Sequence, residues 1–339
     1  MSGKSVSAPT EAARVSGLRK LVEMREFLLA ALVVVAFIVL SLTSPYFFKW
    51  DNFRIVLSSM SIDGIVVIGM TILLISGGFD LSVGSGMALG MIVTATLFRH
   101  QGINPWIAGA IALCVSAAVG WVIGMLVTKI RLTHFIVTLC MMGILRGLVM
   151  TLAGGMHFSM VSQVASVPSY KFLGQGSLFG QLPIQVIIFL VFAVVADFLV
   201  RRSRIMRVVF YTGSNRKAAE YSGIRTSRVL IGASIVCAVS AGAAGFIYLA
   251  RFAAVPLQVG GGLEMTAISA CVIGGASLTG GKGSILGSVL GLAFMAMVTN
   301  AMTLFGVSAF QQDLIRFTIL LTAVALDQIQ QNIAAKRAK

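Results

Sequence analysis

Few side chains in this 339-residue sequence could do chemistry, and most of them lie inside apolar stretches. Residues 76–86, Ser-Gly-Gly-Phe-Asp-Leu-Ser-Val-Gly-Ser-Gly, interrupt one such stretch. Paired glycines end a helix, and Asp80 or Ser82 can start the next by accepting its unpaired N–H groups. Non-helical backbone at membrane depth survives only against protein or a wet cavity. Gly77, Gly78, Asp80 and Ser82 therefore mark either a helix break beside a path through the membrane or an ordinary turn at its surface.

Ionisable residues within apolar spans are costly, so each needs a partner or a purpose. The set is Asp63, Arg146, Asp197, Arg251, Glu264, Asp313, Arg316 and Asp327. Asp197, Asp327, Arg251 and Glu264 lie near the ends of apolar runs, where their side chains can reach the interface. Asp313 and Arg316, three apart, share a helix face and would neutralise each other. Asp63 and Arg146 have no local counter-ion. They are candidates for lining a path, or for holding the bundle together from within.

A third constellation is polar. Residues 201–228 hold Arg201, Arg202, Arg204, Arg207, Arg216, Lys217, Arg225 and Arg228 against Glu220 alone. Within them, 211–224 reads as a short helix with Ser214 or Asn215 as N-cap and Gly223 as C-cap. Ala218, Ala219, Glu220 and Ser222 lie within it. Such a capped knob suits a groove in a soluble partner; a solvated linker has the same pattern.

Other chemistry is missing. There is no GxxxxGK[ST] phosphate loop, and His100, His134 and His157 are scattered without an HExxH or GxSxG pattern. Cys114, Cys140, Cys237 and Cys271 lack CxxC spacing and read as small buried hydrophobes. The sequence offers no catalytic set, no metal site and no cofactor site.

The elements that must position these residues are membrane helices. The chain is 58% hydrophobic and 11% charged, against roughly 25% charged in a soluble domain. Its mean hydropathy is +0.96, so most of the surface meets lipid. Net charge +15 does not indicate nucleic acid, because the basic residues gather in the N-terminal tail, the 201–228 loop and Lys336, Arg337 and Lys339. No aromatic-interleaved basic run of the kind that stacks on bases occurs.

A span needs about 20 residues. Apolar runs cover 27–44, 53–75, 81–98, 105–128, 132–153, 183–200, 229–250, 284–305 and 309–328, and 266–278 is a shorter piece, tilted or broken. The expectation is an all-α polytopic membrane protein of about ten transmembrane helices with N and C termini in the cytoplasm. That count puts Lys129, Arg131, the 201–228 loop and Lys282 inside, and 154–182, whose only basic residue is Lys171, outside. It divides the chain into a tail (1–26), one transmembrane domain (27–328) and a second tail (329–339). About 25 polar residues precede the first apolar run and no small-x-small site follows it, so the start does not read as a cleavable signal. Glycines at 109, 120, 124, 232, 242 and 245 allow close helix approach and imply a compact bundle.

One internal similarity suggests a repeat. Gly77-Gly78-Phe79-Asp80-Leu81-Ser82 is echoed by Gly274-Gly275-Ala276-Ser277-Leu278-Thr279, and Leu89-Gly90 by Leu286-Gly287 at the same offset. Transporters often carry such repeats, although chance is a competitor among 36 glycines.

Taken together, these motifs resemble the permease subunits of bacterial ABC importers for monosaccharides, of the ribose, xylose, arabinose and galactoside type. The stretches are Gly77 to Ser85, where that family usually reads GGIDLSVGS; Phe135 to Leu139 with Arg146-Gly147-Leu148; Ser214 to Ile224; and Ile273 to Gly283. They cover about residues 45–328. The resemblance implies a second permease copy or related chain, cytoplasmic ABC ATPase subunits, a periplasmic sugar-binding protein and a bacterial inner membrane. It makes 211–224 the element that couples to the ATPase. Departures are Ser214, where a second Gly is common, and Thr266, where an acidic residue is frequent. The competing expectation is a stand-alone ion-coupled secondary transporter using Asp63 or Asp80.

Overall fold

The computed structural model describes residues 11–337. The start of the N-terminal tail, Lys339, and the side chains of Asp327, Lys336 and Arg337 lie outside the described residues. Five long helices come first: α1 (Glu11–Thr43), α2 (Trp50–Ile75), α3 (Val83–Gln101), α4 (Pro105–Thr128) and α5 (His134–Leu152). A connecting segment holds β1 (Phe158–Ser159), α6 (Val161–Ser166), α7 (Pro168–Gln175), β2 (Ser177–Leu178) and β3 (Leu182–Pro183). Then come α8 (Ile184–Arg202), α9 (Arg204–Ser214), α10 (Arg216–Tyr221), α11 (Thr226–Phe252), β4 (Ala254–Val255), α12 (Leu263–Ile273), α13 (Ile285–Leu304) and α14 (Ala309–Arg337).

The strands are two-residue staples. β1 pairs antiparallel with β4, Phe158 opposite Val255, and β2 pairs with β3. Among the described residues, six helices are long and apolar enough to cross a membrane: α2, α4, α5, α8, α11 and α13. The expected runs at 53–75, 105–128, 132–153, 183–200, 229–250 and 284–305 fall on these six. The expected piece at 266–278 is broken rather than continuous. Its helix ends at Ile273 because Gly275 takes φ +99°, leaving Ala276 to Leu278 outside it.

Helices α2 and α11 form the centre. Residues 64–76 are buried without interruption, as expected of a helix apolar on every side. Around them the outer helices turn apolar faces outward, such as Ile136 and Leu148 on α5 and Val194 and Phe198 on α8. In water such faces would drive aggregation; in hydrocarbon they are the natural surface. Small residues set the closest approach: a Cβ on Gly90 of α3 would lie 2.6 Å from the Gly242 carbonyl oxygen of α11. Lipid offers no hydrophobic drive between helices, so such contact is where they gain packing energy.

The cysteine expectation holds for half the set. Cys237 and Cys271 are buried, whereas Cys114 on α4 and Cys140 on α5 are exposed. An apolar thiol faces lipid as readily as a core, so burial was not required of it.

Candidate functional site

Three turns converge at the end of the bundle that carries the basic loop. Helix α2 stops at Gly77 (φ +88°), whose N–H bonds to the Leu74 carbonyl, while the Gly78 N–H reaches Leu73. Helix α12 stops in the same way, with Gly275 bonded to Val272 and Ala276 to Cys271. These are matched left-handed caps.

The likeness continues. The Ser82 backbone N–H and hydroxyl both donate to Asp80 Oδ1, at 2.7 and 2.6 Å. One repeat later, the Thr279 N–H donates to Ser277 Oγ at 3.3 Å, and the two hydroxyls are 2.8 Å apart. The suspected repeat is thus a real structural echo through the turn. It fails at Leu89-Gly90, which sits a further turn into α3 than Leu286-Gly287 does into α13.

The two turns also touch. Gly281 N–H donates to the Ile75 carbonyl at 2.9 Å. Gly213, at the end of α9, fits between them: a Cβ there would lie 2.6 Å from Gly281 N. Gly78 abuts His134 in the same way. Asp80 and Ser82 are almost fully buried and Gly77 is exposed. Neither residue caps α3 with its side chain: Asp80 accepts only from Ser82, the residue before the helix. The segment is therefore packed in protein, with Gly77 exposed and Phe79 and Gly86 partly so.

Beside this junction stands α10. Asn215 is its N-cap, Oδ1 accepting from Ala218 N–H at 3.0 Å, and Gly223 (φ +80°) closes it. The expected helix over 211–224 is really two. Tyr211 to Ser214 belong to α9, and extended Asn215 (φ −157°) separates them. Ser214, Ala218, Glu220 and Ser222 are exposed, while Ala219 is buried against the body. Glu220 Oε1 accepts from Thr226 Oγ1 at 2.6 Å and from Arg216 Nε at 3.3 Å. The Thr226 bond, helped by Arg216, holds its carboxyl below the usual range.

At the opposite end lies a cavity of about 510 Å³. Its wall comes from the first half of α2, Met87 of α3, the end of α11, the irregular stretch 258–262, the start of α12, α13 from Leu292 onward and Arg316 of α14. The polar lining includes Asp63, Arg251, Gln258, Thr266, Thr299 and Arg316. Of the residues expected beside a path, only Asp63 lines it. Gly77 and Gly78 are at the far end; Asp80 and Ser82 do not line it, although Gly84, two residues on, packs against Gly260 of its wall. Arg146 lies behind the wall, Nη1 donating to the Leu257 and Val259 carbonyls at 3.1 and 2.9 Å, and so fixes the irregular stretch.

Sequence reasoning placed Arg251 at a span end and Arg316 in a pair with Asp313. The pair forms, at 3.3 Å. What it missed was their convergence on Asp63 across three helices. The available signal was an arginine, Arg251, ending a span with no acid on its own helix.

A family model described as "Branched-chain amino acid transport system / permease component" matches residues 52–324. The chain belongs to this permease family. It is 34% identical to the ribose import permease protein RbsC of Escherichia coli K12 over 304 residues, covering 90% of this chain and 93% of the relative. It is 36% identical to the L-arabinose ABC transporter permease protein AraH of Azospirillum brasilense, over 88% and 86%. With the autoinducer 2 import system permease protein LsrC of Yersinia enterocolitica it shares 31%, over 87% and 80%. No solved structure matches. The resemblance to monosaccharide importer permeases read from the motifs holds, and this permease is a multi-pass membrane protein.

Proposed function

We propose that this permease is the membrane-spanning subunit of an ATP-binding-cassette importer for a monosaccharide or related small polar solute. The carrying observation is likeness over nearly the full length of permeases whose names specify ribose, L-arabinose and autoinducer 2 import. The absence of a phosphate loop from the sequence agrees with ATP hydrolysis on a separate chain.

The reading extends to topology. Helices α1, α3, α12 and α14 join the six long spans to give ten crossings of the bacterial inner membrane, with 27–328 as one transmembrane domain between two cytoplasmic tails. The basic end, with Lys129, Arg131, Lys282 and the 201–228 loop, then faces the cytoplasm. There α10, with Ser214, Asn215, Ala218, Ala219, Glu220, Ser222 and Gly223, meets the ATPase. Junction residues Gly77, Gly78, Asp80 and Ser82 carry that movement into the helices, Asp63 meets solute, and Arg146 holds the wall. A second permease chain and a periplasmic sugar-binding protein complete the assembly.

The test is purification of the chain with its co-expressed neighbours and reconstitution in liposomes. Uptake should follow ATP and require both the ATPase and the binding protein. Uphill uptake by the chain alone, driven by an ion gradient and abolished by an uncoupler, would overturn the reading.

A further inference from the structure

The cavity's polar groups are arranged in a way that neither the family likeness nor packing explains. Asp63 is only half-buried, although its neighbours Ile62 and Gly64 are buried. Arg251 and Arg316 lie close enough to act on it electrostatically. Yet Arg251 Nη1 and Arg316 Nε are buried without a hydrogen-bond partner. Buried donors are almost always satisfied, and leaving one without an acceptor is costly. Two such donors in one wall point to an absent acceptor.

The other features agree. Helix α12, of 11 residues, begins at this wall after an irregular stretch with Gly260 and Gly262 in left-handed conformations. Transporter sites are commonly built where a discontinuous helix starts inside the membrane. The volume falls within the roughly 300–1,000 Å³ of small-molecule sites. Charge narrows the ligand. Arg251 is balanced by Asp63, and Arg316 by Asp313. An anion would meet Asp63 and a cation would meet two guanidiniums. A hydroxyl donates and accepts at once, so a polyol can bond to the carboxylate and both orphan donors together.

We propose that this cavity is a binding site for a neutral, polyhydroxylated solute, with Asp63, Arg251 and Arg316 as direct contacts and their charge balance excluding ionised analogues. The proposal rests on the importer reading. Asp63 is its selectivity residue: without that carboxylate the cavity carries excess positive charge and accepts anions.

The test uses the assembled transporter in nanodiscs, with Cys114→Ser, Cys140→Ser and Thr299→Cys so that one cavity thiol reports occupancy. D-ribose, L-arabinose, D-xylose and D-galactose are the neutral probes, and their aldonates are the anionic ones. The sugar that the preparation takes up with ATP should slow thiol modification at least threefold, and its aldonate should not. Asp63→Asn should reverse that preference, and Arg251→Gln should abolish protection by both. ATP-driven uptake without protection, or protection unchanged by both substitutions, would overturn the cavity assignment and leave the importer reading standing. Protection without ATP-driven uptake would support the cavity and sink the importer reading.

Discussion

The backbone N–H of Gly281 donates to the carbonyl of Ile75 at 2.9 Å, joining the last turn of α2 to the loop after α12. The two segments are more than 200 residues apart in sequence, and Gly213 fills the remaining space beside them. Gly213, which lies in the basic loop, thus touches both helix ends at once.

Gly213→Val tests that junction. Its side chain has no room against Ile75 and Gly281, and overpacking of this kind costs about 1–3 kcal/mol. Thermal stability should fall and uptake should be lost. Gly232→Val, at a position with open space around the glycine, should leave both near the original values.

Ala218 and Ala219 should separate docking from folding. Ala218 is exposed and Ala219 buried. Ala218→Trp is expected to leave expression and thermal stability unchanged, while uptake per ATP hydrolysed falls several-fold. Ala219→Trp should lower the yield of folded protein itself. Normal coupling in Ala218→Trp would remove α10 from the contact with the ATPase.

Asn215→Ala removes the cap of α10, a loss of about 1 kcal/mol. In a helix of six residues that is enough to raise amide exchange throughout it. Asn215→Asp, which keeps the accepting oxygen, should restore protection.

Glu220 gives the same helix a pH dependence. Its folded pKa is lowered, first by the Thr226 bond, so its contribution is complete above the unfolded carboxylate value of about 4.3. It fades as pH falls further through the folded value. Exchange of α10 amides should rise on acidification below that range, after correction for intrinsic rates. Glu220→Gln should flatten the response.

Arg146→Ala removes two bonds from a charged donor to the Leu257 and Val259 carbonyls, each worth about 1.5–3 kcal/mol. Proteolysis within 254–262 should accelerate and thermal stability should drop. Arg146→Lys, able to reach one carbonyl, should fall between.

Hydropathy and backbone chemistry act locally, and what they dictate is readable from the residues alone. A run of about 20 apolar residues has no stable state in a bilayer except a helix, which is why 53–75 and 229–250 were legible within a few residues. Gly77 and Asn215 were legible because a left-handed cap and an accepting side chain leave marks at fixed spacing. Which residues meet is set by how the helices pack. Asp63, Arg251 and Arg316 lie on three helices, and their convergence depends on rotation and depth, which hydropathy does not encode. Gly213 against Gly281 is likewise a matter of close packing, because an absent side chain marks where two backbones could touch but not which two will.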